Sequence, residues 1–301
     1  MYNVTIFGIK LNLNPVAFTI PIGDGWTVYW YGIIIAVGFM LAVLYGLSTA
    51  KKIGINDDKL LNGTIITTPI CILCARTYYL LFDGEKLSGI KEFFGFGGSG
   101  FSGLAIYGAV IGAAICAVIF SKIYKFNMLN LFDLVATSFL IGQSIGRWGN
   151  FVNQEAFGSA TGSNWWGMTS QAVEYELGEG VLAHPCFLYE SIWCAAGFFL
   201  LNWMLRKKRQ YYGQVTLLYG VWYGFGRTII ESLRTDSLMI GNIRVSMLLS
   251  AIVCVGCSAA LIIINRRKKA VAVNQTYVLM FSDITDEERN VQEENNDGED
   301  N

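Results

Sequence analysis

The chain has 301 residues, of which 53% are hydrophobic and only 15% charged. A soluble globular domain carries about 25% charged residues, so this charge is too sparse to clothe a water-facing surface of that size. The formal net charge of −1 hides an asymmetry: residues 271–301 hold nine acids against one arginine, and the remainder is clearly basic. Those basic residues sit in short clusters between apolar runs, a pattern that argues against nucleic acid as a partner.

The N-terminus has no basic start, no single apolar block and no small-residue cleavage site, so it reads as mature sequence and not as a signal peptide. A helical span needs about 20 mostly apolar residues to cross roughly 30 Å of hydrocarbon. Seven windows qualify in whole or in part: 28–48, 60–82, 103–124, 129–145, 184–205, 214–231 and 245–264. The fourth is interrupted by Asp133 and Gln143, and the sixth is glycine-rich and carries Arg227. These are the two that a hydropathy scan is expected to miss. Lysine and arginine follow the first span (Lys51, Lys52, Lys59), the third (Lys122, Lys125), the fifth (Arg206–Arg209) and the seventh (Arg266–Lys269). By the positive-inside rule this alternation predicts an all-α polytopic membrane protein of about seven helices, N-terminus out and C-terminus in. The membrane-embedded domain is expected over 1–269.

Two outer segments are long enough to be structured. Residues 83–102 form a glycine-rich approach to the third span. Residues 147–183 are a candidate small extracytoplasmic head of short strands and loops. The acidic tail, 270–301, is too polar to pack a core and reads as disordered and cytoplasmic. Of the seven cysteines, Cys71 with Cys74 and Cys254 with Cys257 imitate metal-binding pairs. Both pairs lie in apolar helical runs without a second pair nearby, and are read as small hydrophobes.

Charge inside a span is costly unless paired or wet. Arg76, Asp133, Arg147, Glu190, Arg227 and Glu231 break the hydropathy pattern. Arg227 and Glu231 are four apart and can pair on one helical face. The densest polar block is "GQSIGRWGNFVNQEAFG", which sets Arg147, Asn150, Asn153 and Glu155 among close glycines. Glycine lets backbone approach a ligand, and arginine offers a fork for phosphate or carboxylate. The single histidine, His184, opens "HPCFLYES", with Pro185 suited to a helix start. "GQSIG" also fits a nucleophile-elbow pattern at Ser144, but that pattern has meaning only on a strand–turn–helix.

Together these residues resemble the prolipoprotein diacylglyceryl transferase family. "GRWGNFVNQEAFG" is similar to its signature at Gly146, Arg147, Gly149, Asn150, Phe151, Asn153, Glu155 and Gly158. "NPVAFTI" with "WYGIIIAVGF", which contains Tyr31, resembles the family's opening and first helix. "HPCFLYE" and "YGFGRTIIESLRTD" resemble later segments, the last carrying Tyr223, Arg227, Glu231 and Arg234. One departure stands out: where many members have a histidine, "FSGLAIYGAVIGA" has Tyr107.

The resemblance implies transfer of a diacylglyceryl group from phosphatidylglycerol to the lipobox cysteine of a prolipoprotein signal peptide, with release of glycerol phosphate and no cofactor or metal. It implies a multi-pass protein of the bacterial cytoplasmic membrane with its site towards the non-cytoplasmic face. Arg227, Glu231, Tyr107 and His184 are the expected catalytic group. Arg147, Asn150, Asn153, Glu155, Gly158, Tyr31 and Tyr223 are expected to bind substrate. Two rival readings have different chemistry. One is an intramembrane protease using Ser144 and His184; the other is an anion transporter through the Arg147–Arg227 region.

Overall fold

The computed structural model describes residues 2–21, 26–82, 105–235, 239–240 and 243–267. The glycine-rich segment 83–102 and the acidic tail 270–301 lie outside the described residues. The elements in order are β1 (Tyr2–Ile6), β2 (Ile9–Leu13), β3 (Val16–Ile20), β4 (Trp26–Tyr29), α1 (Trp30–Ala50), α2 (Asp57–Phe82), α3 (Ile106–Ile123), α4 (Met128–Val152), β5 (Met168–Thr169), α5 (Gln171–Leu177), α6 (Cys186–Trp203), α7 (Gln214–Leu233), β6 (Met239–Ile240), β7 (Ile243–Arg244) and α8 (Val245–Arg267). A long helix thus stands at each of the seven expected windows.

Among the described residues, six of these helices are long and apolar enough to cross a membrane. The one that falls short is α7, whose glycines, tyrosines, Arg227 and Glu231 dilute its apolar character. α4, which continues two turns beyond the expected window to Val152, qualifies despite Asp133 and Gln143, so of the two expected to be missed only α7 is.

The chain forms two compact units. One comprises Leu47–Leu131. Its α2 is preceded by Asn56, whose side chain accepts from the Lys59 amide at 2.8 Å, an N-cap. α2 packs on α3 through two glycines one turn apart. A β-carbon on Gly108 would lie 2.6 Å from Tyr78 Cβ, and one on Gly112 would lie 2.9 Å from Cys74 Sγ. Small residues four apart let helix backbones approach closely, which is how helices associate where lipid removes any hydrophobic gain.

The other unit comprises Met1–Gly46 and Phe132–Val273. Here α1 packs on α4 at Gly142, Gly146 and Gly149. A β-carbon on Gly146 would sit 3.1 Å from Ile35, and one on Gly149 would sit 2.8 Å from the Tyr31 ring. The glycines of the polar block therefore seat a neighbouring helix. α7 packs on α8 in the same manner: a β-carbon on Gly220 would strike Cys257 Sγ, and one on Gly224 would come 2.7 Å from Ser250 O. All seven cysteines are free, and among the described residues no cluster of His, Cys, Asp or Glu could hold a metal.

A reciprocal clamp joins α6 to α7. Trp193 Nε1 donates to Trp222 O, and Trp222 Nε1 donates to Trp193 O, each at 3.0 Å. Their rings stack at 4.3 Å. Each indole covers a glycine of the opposite helix, Trp193 on Gly226 and Trp222 on Gly197, with no room for a β-carbon at either. The motif Trp-x-x-x-Gly, present on both antiparallel helices of the clamp, fixes their register.

Asp133, fully buried, fastens the far end of this bundle. It accepts from the amides of Gly213 and Thr216 at 2.9 and 2.8 Å, from the Thr216 hydroxyl at 2.8 Å and from Arg209 at 3.4 Å. A carboxylate on α4 therefore caps the N-terminus of α7, where orphan amides and the helix dipole favour an anion.

The head differs from the expected 147–183 in two respects. Residues 147–152 are the last turns of α4. The N-terminal hairpin supplies most of the sheet, whose order is β2-β1-β5. The head core joins Val4, Met168, Val173 and Ala183 to Phe151 and Phe187, which stack at 4.6 Å across the ends of α4 and α6. The apolar helix ends thus complete a core too small to close by itself.

Candidate functional site

α4 ends in a Schellman turn. Gln154 adopts φ +56°, its amide donates to Phe151 O at 3.1 Å, and the Glu155 amide donates to Asn150 O at 2.8 Å. This reversal carries Glu155 back over the helix end. There its carboxylate accepts from Asn153 Nδ2 at 3.1 Å and from Asn150 Nδ2 at 3.4 Å. Arg147, one turn earlier, reaches Asn150 Oδ1 at 3.5 Å. Four residues of the signature are thereby gathered on one surface.

α6 begins at Cys186 and presents Glu190 one turn in, only 2% exposed. Its carboxylate takes three donors from two other helices: Arg147 Nη2 on one oxygen, Tyr223 OH on the same oxygen at 3.3 Å, and Arg227 Nη1 on the other oxygen at 2.8 Å. Arg227 Nη2 goes on to Glu231 at 2.7 Å, the expected i,i+4 pair. Glu231 accepts further from the Ser246 hydroxyl, and its carbonyl accepts from Arg244 at 2.7 Å.

The result is a ladder, Arg147–Glu190–Arg227–Glu231, across α4, α6 and α7. Its two positive and two negative charges cancel, which makes their burial tolerable. The carboxylates are almost sealed, at 3% and 2% side-chain exposure, whereas Arg147 and Arg227 keep 20% and 14%. The two arginines are therefore the more accessible members of the ladder. Tyr223 stacks on Tyr219 at 5.6 Å, and Tyr219 OH donates to Gln143 at 3.3 Å. These two rings wall the ladder on the α7 side.

Glu190 is the residue that sequence reasoning left without a place in the site. The signal was present: a carboxylate one turn inside an apolar helix, within "HPCFLYE". What periodicity could not give was its two arginine partners, which come from 43 and 37 residues away.

The remaining expected residues are distributed as follows. Tyr31 lies against Gly149, beside the turn that bears Asn150 and Asn153. Gly158 sits where three segments cross. Its amide donates to His184 O at 2.8 Å, and a β-carbon would come within 2.9 Å of Cys186 Sγ, Leu233 O and His184 Cβ. The His184 amide returns a bond to Ser159 O at 3.0 Å. The His184 ring meets Tyr189 OH at 3.2 Å through Nδ1, and Tyr189 OH accepts from Trp166 Nε1 at 2.9 Å. Among the described residues no hydrogen bond joins His184 to the ladder. Tyr107 belongs to the other unit, on α3, 53% exposed with Tyr78 at 6.2 Å.

Ser144 lies within α4, with no strand or turn before it. Its hydroxyl donates to Ser191 O at 2.9 Å, Ser191 Oγ donates to Ser144 O at 2.8 Å, and Trp148 Nε1 donates to Ser191 Oγ at 3.1 Å. These bonds tie α4 to α6 one turn below the ladder.

Comparison with known proteins identifies the family. The profile of the family described as prolipoprotein diacylglyceryl transferase matches residues 15–264. A phosphatidylglycerol–prolipoprotein diacylglyceryl transferase of Clostridioides difficile (strain 630) is 39% identical over 258 residues, 85% of this chain and 98% of the relative. Proteins of the same description from Limosilactobacillus reuteri (strain DSM 20016) and Listeria welshimeri are 39% and 40% identical, covering 94% and 91% of those relatives.

Proposed function

Because this chain belongs to the prolipoprotein diacylglyceryl transferase family, we propose that the arginine ladder is the place where its reaction occurs. The chain is an enzyme of the first step of lipoprotein maturation. It transfers the diacylglyceryl group of phosphatidylglycerol to the cysteine thiol of a prolipoprotein.

The chemistry is a substitution at carbon. The cysteine sulfur forms a bond to the terminal glyceryl carbon, the bond from that carbon to the phosphate oxygen breaks, and the electron pair leaves with glycerol phosphate. The thiol proton passes to water or to the departing glycerol phosphate, because the thiolate is the nucleophile. Charge develops on the departing phosphate, and preorganised donors aimed at developing charge supply the largest single catalytic effect in many enzymes. Arg147 binds the lipid phosphate. Arg227, held from both sides by Glu190 and Glu231, stabilises the leaving group. Tyr223 steadies Glu190. Asn150, Asn153 and Glu155 orient the glycerol headgroup, and Tyr31 and Gly158 shape the floor. His184, its ring held by Tyr189, belongs to the same reacting group. The basic connections face the cytoplasm and the ladder faces the opposite side of the bacterial cytoplasmic membrane, where a lipid headgroup and a tethered cysteine meet.

One observation carries this reading: two guanidinium groups share a single buried carboxylate, so both are fixed in place while their side chains stay partly accessible. The alternative of a serine protease is disfavoured by the Ser144 hydroxyl, which is spent on the main chain of α6. The test is incubation of the purified protein with phosphatidylglycerol and a lipobox peptide. A mass gain of one diacylglyceryl group on the cysteine is expected, and Arg147→Ala should abolish it while the protein remains membrane-inserted. Uptake of anions into vesicles without any thioether would replace the reading with transport.

A further inference from the structure

The head sheet has an edge strand beside the candidate site. β1 pairs β2 with Ile6 opposite Ile9, Val4 opposite Leu11 and Tyr2 opposite Leu13. The connecting turn is Phe7–Gly8, with φ +50° and +81°, the geometry of a two-residue type I′ turn. Such a turn makes Ile6 and Ile9 a hydrogen-bonded pair, so the main-chain groups of Ile9, Leu11 and Leu13 point to β1. The groups of β1 at Thr5 and Phe7 point the other way, to β5. This is seen in the pairing of Thr5 with Thr169 and in the 3.0 Å bond from the Phe7 amide to Gly167 O. By the same alternation, the amides and carbonyls of Lys10 and Asn12 point away from the sheet, along its open edge. Among the described residues no strand pairs with that edge, and Lys10 and Asn12 are both exposed.

The edge runs into a cavity of about 420 Å³ lined by Asn12, Leu13, Asn14, Trp30, Ile34 and Val152. That cavity adjoins the site. Trp30 precedes Tyr31, and Val152 lies five residues beyond Arg147 on α4, about 8 Å along the axis at 1.5 Å per residue.

We propose that the Lys10–Asn12 edge with its cavity is the docking strand for the substrate protein, and that it takes, as an added β-strand, the backbone just after the acceptor cysteine. The proposal rests on the transferase reading above. The nucleophile of that reaction belongs to a polypeptide, so a length of peptide must leave the site on the water side. Three or four extended residues cover roughly 10–13 Å, a reach that suits a peptide passing from the end of α4 along an edge whose cavity Val152 also lines. Strand addition draws affinity from main-chain hydrogen bonds and leaves side chains weakly selected.

Two measurements test it on the full-length protein with phosphatidylglycerol micelles. The first is Asn12→Pro, which removes an outward amide and leaves the pairing to β1 intact; proline is tolerated at such edge positions. Loss of one backbone bond should raise KM for a lipobox peptide about threefold to tenfold, with kcat and KM for phosphatidylglycerol unchanged. The second uses the unaltered protein and peptides N-methylated at alternate residues after the cysteine; one register should lose affinity to a similar degree and the other should not. It decides the matter should the proline variant fail to fold. An unchanged peptide KM in both series means that the edge is only a solvent-facing end guarded by Lys10, and overturns the proposal. So does an effect confined to N-methylation before the cysteine. Absence of any thioether from unaltered protein and unmodified peptide refutes the transferase reading itself, a distinct result.

Discussion

Removing the Glu190 carboxylate should damage stability and turnover together. Glu190→Ala leaves Arg147 and Arg227 buried with their shared counter-charge gone, and leaves Tyr223 OH without its acceptor. Breaking one buried ion pair by deleting a partner costs about 3–5 kcal/mol. Two pairs share this carboxylate and do not add. Arg147 keeps 20% exposure, so water recovers part of its loss, and Arg227 keeps Glu231. The net cost is therefore set at about 3–5 kcal/mol and not at twice that. Against a total stability of about 5–15 kcal/mol this is a large fraction. Glu190→Gln retains an oxygen for one guanidinium and should cost less. Turnover should fall on the order of 100-fold even in the folded fraction, because a displacement near 1 Å has that effect on a positioned group. Thermal unfolding in detergent and the rate of thioether formation measure the two consequences. A Glu190→Ala protein that melts and turns over like the unaltered chain would show that the carboxylate does not hold the arginines.

Gly226→Ala places a methyl against Trp193 and should destabilise the α6–α7 clamp by about 1–3 kcal/mol; adding Trp193→Phe should return part of the lost melting temperature, whereas independent effects would simply add. Asp133→Ala strips the acceptor from two amides, one hydroxyl and Arg209, and should cost about 3–5 kcal/mol, with Asp133→Asn milder; equal melting temperatures for Asp133→Ala and the unaltered chain would refute the capping role. Ser144→Ala loses the bond to Ser191 O, so stability should drop by about 1 kcal/mol, read by thermal unfolding, while turnover persists. Full loss of activity in a folded Ser144→Ala protein would revive the protease reading.

Much of this protein was readable along the chain, because the features concerned are local. Twenty apolar residues in a row make a helix long enough for a bilayer wherever they occur, and every expected window is helical. Arg227 and Glu231 pair because positions four apart share a face. The block around Arg147 announced a polar surface, and the turn at Gln154 gathers it as a single patch. The family signature lies within these same local runs.

What the sequence could not give is which remote residue each local feature meets. The glycines of the polar block looked like ligand contacts, yet Gly146 and Gly149 are occupied by Ile35 and Tyr31 of α1. The head looked like a segment of one loop, yet its sheet comes mostly from the N-terminal hairpin and its core is closed by the ends of α4 and α6. Glu190 looked like one more costly charge, yet it is the carboxylate that two arginines share. The physical reason is common to all three. Amino-acid order and periodicity fix which face a side chain occupies, and only the packing of helices distant in the chain decides whether that face meets lipid, a methyl group or a guanidinium.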